Sequence, residues 1–129
     1  MPGKVLLDTT IIIALFNADQ AVVSALSDTQ EVFAPVIAIG ELFYGALKSG
    51  QTERNLEKIR EFARANTVIP VTAQTGEAYG RIKNRLRERG RPIPENDIWI
   101  AAIALQHDLD LATRDTHFQE VEGLRFQRW

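Results

Sequence analysis

The chain has 129 residues, 45% of them hydrophobic and 25% charged, a composition typical of one globular domain with a buried core. It contains no cysteine, which excludes disulfides, cysteine zinc sites, iron–sulfur clusters and thiol nucleophiles. The net charge of −2 gives no global sign of a nucleic-acid-binding protein.

Short apolar runs alternate with segments of helical spacing along the whole chain. In chain order the pattern predicts a strand at 5–7, helices at 11–16 and 20–26, a strand at 32–34, helices at 37–48 and 55–65, a strand at 68–71, helices at 74–89 and 97–107, a strand at 109–112 and a short candidate strand at 124–126. Pro70 argues against a central, fully paired position for the third strand. This alternation predicts a single α/β domain over 1–129, with a parallel sheet covered on both faces.

No segment of the sequence is suited to crossing a membrane. The longest apolar run, from Ile98 to Leu105, has eight residues, whereas a spanning helix needs about 20. The first residues lead directly into the first predicted strand, and no signal peptide is visible. Together with the absence of cysteine, these features give the expectation of a cytoplasmic protein without a membrane partner.

Four acidic residues stand beside strongly apolar sequence: Asp8, Glu41, Asp97 and Asp115. A carboxylate drawn toward a low-dielectric interior needs hydrogen bonds, a cationic partner or a metal, because otherwise it takes up a proton. In an open α/β sheet, functional residues gather where strands end and helices begin. Four converging carboxylates would suit a hard divalent cation and phosphate chemistry.

Three of these acids also have a purely structural interpretation. Asp8, Asp97 and Asp115 each stand where a side chain can cap the helix or turn that follows. Taken singly, each is explained as well by capping as by function. The sequence alone therefore leaves both interpretations open for these three positions.

Glu41 lies several residues inside its predicted helix, so capping does not explain it. Either its side chain reaches solvent at the edge of the helix, or its carboxylate faces a shared metal site. Gly40 and Gly45 flank it, although glycine disfavours a helix interior by about 1 kcal/mol. These glycines suggest that another backbone or a substrate comes close to this helix.

A basic segment runs from residue 81 to 91, with six basic side chains and one acid, a local charge of +5 that leaves −7 for the rest. The usual interpretation is a solvated helix face. The alternative is a phosphate-binding surface that includes Arg81, Arg85 and Arg87, because phosphate contacts would offset the repulsion between like charges four residues apart.

Other chemical motifs are weak or absent from the sequence. His107 and His117 are the only histidines, and each is interpreted as a surface or packing residue because no second histidine stands at metal-binding spacing. No glycine-rich phosphate loop and no serine in a nucleophile elbow occurs. The four acids therefore remain the main candidate site.

The context of the four acids resembles that of the PIN-domain nucleases, and in particular the VapC-type toxins of toxin–antitoxin pairs. The matching segments occur in the family's order and span nearly the whole chain, at 6–11, 35–45, 96–102 and 112–118. The family's fold is a three-layer α/β/α sandwich with a central, mainly parallel sheet. The resemblance thus implies a more specific architecture than the pattern of strands and helices does.

The resemblance also implies a function. It makes Asp8, Glu41, Asp97 and Asp115 the acidic cluster of a Mg²⁺- or Mn²⁺-dependent endoribonuclease that acts on RNA of the tRNA or rRNA class. It implies a homodimer and a cognate VapB-type antitoxin whose C-terminal segment covers the acidic groove. The third residue of the first motif departs from the family's usual asparagine. It is Thr10 here, which keeps a hydroxyl but loses the carboxamide.

The mechanism that follows is a hypothesis with two rivals. Asp8 and Asp97 would hold the principal metal, Glu41 and Asp115 would complete the site, and Thr10 and Thr113 would donate hydrogen bonds to the ligands. One rival is a catalytically impaired module that binds RNA or protein. The other is a phosphatase or DNA nuclease, although a threonine at position 10 argues against an aspartyl-nucleophile phosphatase.

Overall fold

Five parallel strands form one sheet at the centre of the molecule, a computed structural model that describes residues 3–129. The strands are β1 (Lys4–Leu7), β2 (Glu31–Pro35), β3 (Thr67–Ile69), β4 (Asp110–Thr113) and β5 (Phe126–Arg128). They are arranged in the order β3-β2-β1-β4-β5, and every neighbouring pair is parallel. The prediction of a parallel sheet is confirmed, and β3 with its following Pro70 lies at an edge, where proline is tolerated.

Six α-helices connect the strands: α1 (Thr9–Phe16), α2 (Gln20–Ser27), α3 (Val36–Leu47), α4 (Thr52–Ala65), α5 (Ala73–Glu88) and α6 (Glu95–Gln106). A 3₁₀ turn over Thr116–Glu120 follows β4. Most ends agree with the predicted ones within one or two residues. A larger difference occurs in α4, which begins three residues earlier than 55, and both ends of β5 are shifted two residues later than 124–126.

Side chains of the strands alternate between two apolar layers, as the pleat of a β-strand requires. Leu6 and Leu111 point toward α5 and α6, where they join a core that includes Phe118. Val5 and Leu7 point to the opposite face, where they pack with helices α1 to α4. The three-layer α/β/α sandwich expected from the resemblance is therefore the observed fold.

The chain changes direction across the sheet between β1 and β4. Strands β2 and β3 extend the sheet on one side of β1, and β4 and β5 extend it on the other. Ligands of open α/β sheets bind at such a switch point, beyond the carboxyl ends of the strands. Asp8 follows β1 and Asp115 lies two residues after β4, so both are at this position.

The glycines on either side of Glu41 do not mark a close contact. A Cβ atom built at Gly40 or Gly45 would meet nothing within 4 Å, so the expected approach of another backbone is not seen among the described residues. Within the same residues no single helix is long and apolar enough to cross a membrane. Helices α1 and α2 reach that length and composition only when combined, across a bend of 105°.

Candidate metal centre

Asp8 is a buried carboxylate held by three donors. It caps α1, and its Oδ1 atom accepts hydrogen bonds from the Ile11 amide at 3.0 Å and from the Thr10 hydroxyl at 2.8 Å. Its Oδ2 atom accepts a 2.5 Å bond from the hydroxyl of Thr113, at the end of β4. Asp8 is only 3% exposed, and burial raises its pKa while these hydrogen bonds oppose the rise. Asp8 therefore caps α1 and also lines the acidic pocket described below.

The carboxylates of Asp97 and Asp115 both contact the imidazole of His117. The Nδ1 atom of His117 lies 3.2 Å from Asp97 Oδ2 and 3.0 Å from Asp115 Oδ1. Burial raises the pKa of Asp97, the neighbouring charges of Asp115 and Glu41 raise it further, and His117 opposes the rise. Potential ligand atoms of Asp97, Asp115 and His117 all lie within 4.8 Å of one another.

The capping interpretation is wrong for Asp97 and confirmed for Asp115. Asp97 does not cap α6, because the helix begins at Glu95 with Pro94 as its N-cap residue. Its carboxylate is in the first turn and turns toward the pocket. Asp115 does cap, since its Oδ1 atom accepts a 2.9 Å bond from the His117 amide at the start of the 3₁₀ turn.

Glu41 joins α3 to the loops that carry the other acids. Its Oε1 atom accepts a 2.5 Å bond from the Thr9 hydroxyl, and its Oε2 atom accepts a 3.2 Å bond from the Asn96 side chain. Thr9 is next to Asp8 and Asn96 is next to Asp97. The Glu41 carboxylate is thus fixed between two acidic segments and does not reach freely into solvent.

All four predicted acids line one open pocket of about 470 Å³, together with Glu95 and His117. No lysine or arginine is among the lining residues in the part of the chain that the structure describes. Burial raises the pKa of Asp97, and the neighbouring carboxylates of Asp115 and Glu41 add to the rise. Oxygen donors in this arrangement fit a hard divalent ion such as Mg²⁺ or Mn²⁺.

Five pocket residues were not among the predicted site residues: Thr9, Pro94, Glu95, Asn96 and His117. The interpretation of His117 as a surface or packing residue does not describe its position, because its ring contacts two of the acids. Its place two residues after Asp115, in a turn, was the only sequence signal that could have indicated this. Thr10 and Thr113 were predicted as donors, and both donate to Asp8.

The basic segment is largely neutralised by acids of the same chain. Arg81 pairs with Glu77 at 2.8 Å, and Arg85 pairs with Glu122 at 2.9 Å. Arg87 has no ion pair among residues 3–129, and it lines an apolar cleft that also contains Glu95 of the acidic pocket. The structure therefore separates Arg87 from Arg81 and Arg85, which the sequence had grouped.

An acidic pocket at the switch point of a parallel α/β/α sandwich is an arrangement suited to metal-dependent phosphodiester chemistry. Residues 5–124 match the PIN domain family. The chain is 32% identical to "Ribonuclease VapC2" of Haemophilus influenzae and 33% identical to "tRNA(fMet)-specific endonuclease VapC" of Shigella flexneri, over 98% of both sequences in each comparison. It is also similar to the DNA-bound VapBC structure from Salmonella typhimurium, with a TM-score of 0.91, 29% identity and 98% of each chain covered.

The chain belongs to the PIN-domain family, and within it to the VapC-type ribonucleases of toxin–antitoxin systems. Its six α-helices, its acidic pocket and strands β2 to β4 all lie within residues 5–124. The resemblance that the sequence motifs indicated is thereby confirmed.

Proposed function

We propose that this protein is a divalent-metal-dependent endoribonuclease and the toxin of a toxin–antitoxin pair. We assign the metal-binding and catalytic role to Asp8, Glu41, Asp97 and Asp115. The observation that carries the assignment is the convergence of all four carboxylates on one pocket that contains no lysine or arginine among the described residues. A divalent cation from outside the chain would balance the charge of these carboxylates.

Each acid has a distinct environment, and this suggests a division of roles. Asp8 is held rigidly by Thr10 and Thr113, so it can present an oriented oxygen with little reorganisation. Asp97 lines the same pocket from the first turn of α6, and these two residues would hold the principal ion. When bound, Mg²⁺ or Mn²⁺ would polarise the scissile phosphate and activate a water molecule.

Glu41 and Asp115 complete the proposed site from the rim. The Glu41 carboxylate is fixed by Thr9 and Asn96, and it can orient a water molecule by accepting a hydrogen bond from it. Asp115 is restrained by its own turn, because its amide donates to the Thr113 hydroxyl at 2.9 Å. Thr113 therefore connects Asp8 to Asp115, and it helps to set the spacing between the two carboxylates.

The direct test is Asp97→Asn, which keeps the shape of the side chain and removes its charge. We expect a folded protein whose Mg²⁺-dependent RNA cleavage falls by at least about 100-fold, in line with the loss of a metal ligand. Asp28→Asn is the matched control, because Asp28 is exposed at the end of α2, outside the pocket. Cleavage by Asp97→Asn at the wild-type rate, or wild-type cleavage that resists EDTA, would refute the proposal.

The impaired-module alternative has no structural support at Thr10. The Thr10 hydroxyl donates to Asp8 at 2.8 Å, so replacing the family's usual asparagine leaves a donor in place. Comparison of tRNA, ribosomal RNA, single-stranded DNA and a small phosphoester as substrates would separate a ribonuclease from a DNA nuclease or phosphatase. We expect cleavage of structured RNA, the substrate class indicated by the name of the Shigella flexneri relative.

A route for RNA toward the pocket is part of the proposal. The cleft lined by Lys83 and Arg87 meets the acidic pocket at Glu95. Lys83 is engaged with Glu95 at 2.9 Å, whereas Arg87 is available to contact a phosphate. We therefore give Arg87 the main phosphate-binding role, and assign smaller roles to Arg81 and Arg85, whose charges are partly compensated.

A VapB-type antitoxin is the proposed protein partner, because the similar solved structures are VapBC complexes. An apolar groove of about 260 Å³ shares Thr9 and Glu41 with the acidic pocket, so one bound segment could occupy both. We also propose a homodimer, supported by the exposed apolar side chains of Tyr44 and Leu47 on α3, at 64% and 63%. A cytoplasmic location stays a prediction.

A further inference from the structure

The imidazole of His117 is placed where it can act as a ligand. Its Nδ1 atom is 3.0 Å from a carboxylate oxygen of Asp115 and 3.2 Å from one of Asp97. Neighbouring ligands around an ion with bonds of about 2.1 Å are separated by about 3 Å. The distances that permit hydrogen bonds here are therefore also the distances expected between ligands on one metal ion.

The backbone fixes His117 in this position. Its amide donates to Asp115 Oδ1 at 2.9 Å, which sets the start of the 3₁₀ turn. Phe118, the next residue, is 1% exposed and anchors the turn in the core that α5 and α6 share. With the turn held at both points, the ring of His117 lies over the pocket, although 49% of the side chain is exposed to solvent.

We propose that His117 is a ligand of the divalent ion and that it gives this site a preference for Mn²⁺ over Mg²⁺. The inference rests on the proposed function of the same pocket. Carboxylates suit Mg²⁺ and Mn²⁺ alike, whereas an imidazole nitrogen favours transition-metal ions over Mg²⁺. Mn²⁺ binds carboxylate ligands as Mg²⁺ does, and as a transition-metal ion it also accepts an imidazole nitrogen.

The ring has a second nitrogen that must keep its proton for this role. Ligation through Nδ1 requires a neutral imidazole with the proton on Nε2. The half-exposed ring can place Nε2–H toward water, which satisfies the donor. A single histidine therefore supplies the nitrogen ligand without any further change in the fold.

The experiment uses Mn²⁺ itself as the probe, with pulsed electron paramagnetic resonance of the bound ion. We expect modulation from a directly coordinated imidazole nitrogen, which changes when the protein is labelled with ¹⁵N-histidine. The chain has only two histidines, and His107 lies ten residues after Asp97, about 15 Å away along α6. His107→Gln should keep the signal, and His117→Gln should abolish it.

Affinity provides a second measurement on the same variants. We expect His117→Gln to weaken Mn²⁺ binding by at least about tenfold and Mg²⁺ binding by less than about threefold, with Mg²⁺ measured by competition. A role limited to positioning Asp97 and Asp115 would weaken both ions equally and give no nitrogen modulation. Either of those results would overturn the inference.

Asp97→Asn distinguishes the failure of this inference from the failure of the proposed function. Loss of Mn²⁺ binding in Asp97→Asn, combined with unchanged Mn²⁺ binding in His117→Gln, would remove only the role of His117. Retained binding in Asp97→Asn, or no binding of either ion by the wild-type protein, would refute the metal site itself and the inference with it.

Discussion

Thr113→Val removes one hydroxyl from the centre of the site while keeping the shape of the side chain. The hydroxyl donates to Asp8 Oδ2 and accepts from the Asp115 amide, and both Thr113 and Asp8 are 3% exposed. Valine can do neither. The substitution therefore leaves a buried carboxylate without one of its three donors and the Asp115 amide without its acceptor.

The magnitude follows from these two bonds. A buried hydrogen bond to a charged acceptor contributes about 1.5–3 kcal/mol, and an amide that can still reach water loses up to about 1 kcal/mol. The expected loss in free energy of unfolding is about 2–4 kcal/mol. For a chain of this size it corresponds to a decrease in Tm of roughly 8–16 °C.

The loss should depend on pH because it involves the ionised form of Asp8. Burial raises the folded-state pKa of Asp8, so the free energy of unfolding falls as the pH rises through that pKa and the carboxyl group ionises. The hydrogen bond from Thr113 stabilises the ionised carboxylate and offsets part of this loss. At acid pH, Asp8 is protonated and needs the donor less. We therefore expect a larger difference between wild type and Thr113→Val at pH 7 than at acid pH.

Urea unfolding in EDTA measures the effect without any metal contribution. Thr113→Ser is the matched control, since it keeps the hydroxyl and loses only a methyl group. We expect it to retain most of the stability and of the Mg²⁺-dependent cleavage. Equal stability of Thr113→Val and wild type at pH 7, or a loss in Thr113→Ser as large as in Thr113→Val, would refute the assignment of the hydroxyl.

Three further predictions concern Asp97, Arg114 and Arg87. In EDTA at pH 7, Asp97→Asn should be more stable than wild type by urea unfolding, because burial and the charges of Asp115 and Glu41 raise the pKa of Asp97. The gain in stability should shrink as the pH falls below the ordinary aspartate range. A variant less stable than wild type would contradict this prediction. Arg114→Met should lower the Tm slightly, because it removes a bidentate ion pair with Asp19 that is one-third exposed, and no change in Tm would count against that pair. In an Asp97→Asn background, Arg87→Glu should weaken RNA binding and reduce the slope of its salt dependence by about 1, as measured by fluorescence anisotropy, whereas Arg81→Glu should change both less.

The order and type of the elements could be predicted because they depend on local patterns. Apolar strands, helical spacing and the position of Pro70 at an edge strand were all evident from the sequence. The ends of an element could not be predicted where tertiary contacts determine them. The last strand lies at Phe126–Arg128 because it must align with β4, with Leu111 opposite Phe126, and no local pattern encodes that register.

The acids could be predicted as candidates, but their separate roles could not. Asp8 and Asp97 have the same local signature of an acid before an apolar helix, yet Asp8 caps its helix and Asp97 does not. Pro94 at the N-cap position moves Asp97 into the first turn and turns its carboxylate to the pocket. The difference depends on a start two residues upstream, which the apolar pattern does not determine.

The sequence by itself determined the fold class, because the spacing of apolar residues is a local property. Its motifs indicated the family and the four acids through their resemblance to the PIN-domain nucleases. Only the tertiary structure decided which side chains share the site. His117 contacts Asp97 across 20 positions, and Thr113 donates to Asp8 across 105. Such contacts arise because parallel strands bring distant segments to one edge of the sheet. Local sequence patterns do not determine which side chains contact one another there.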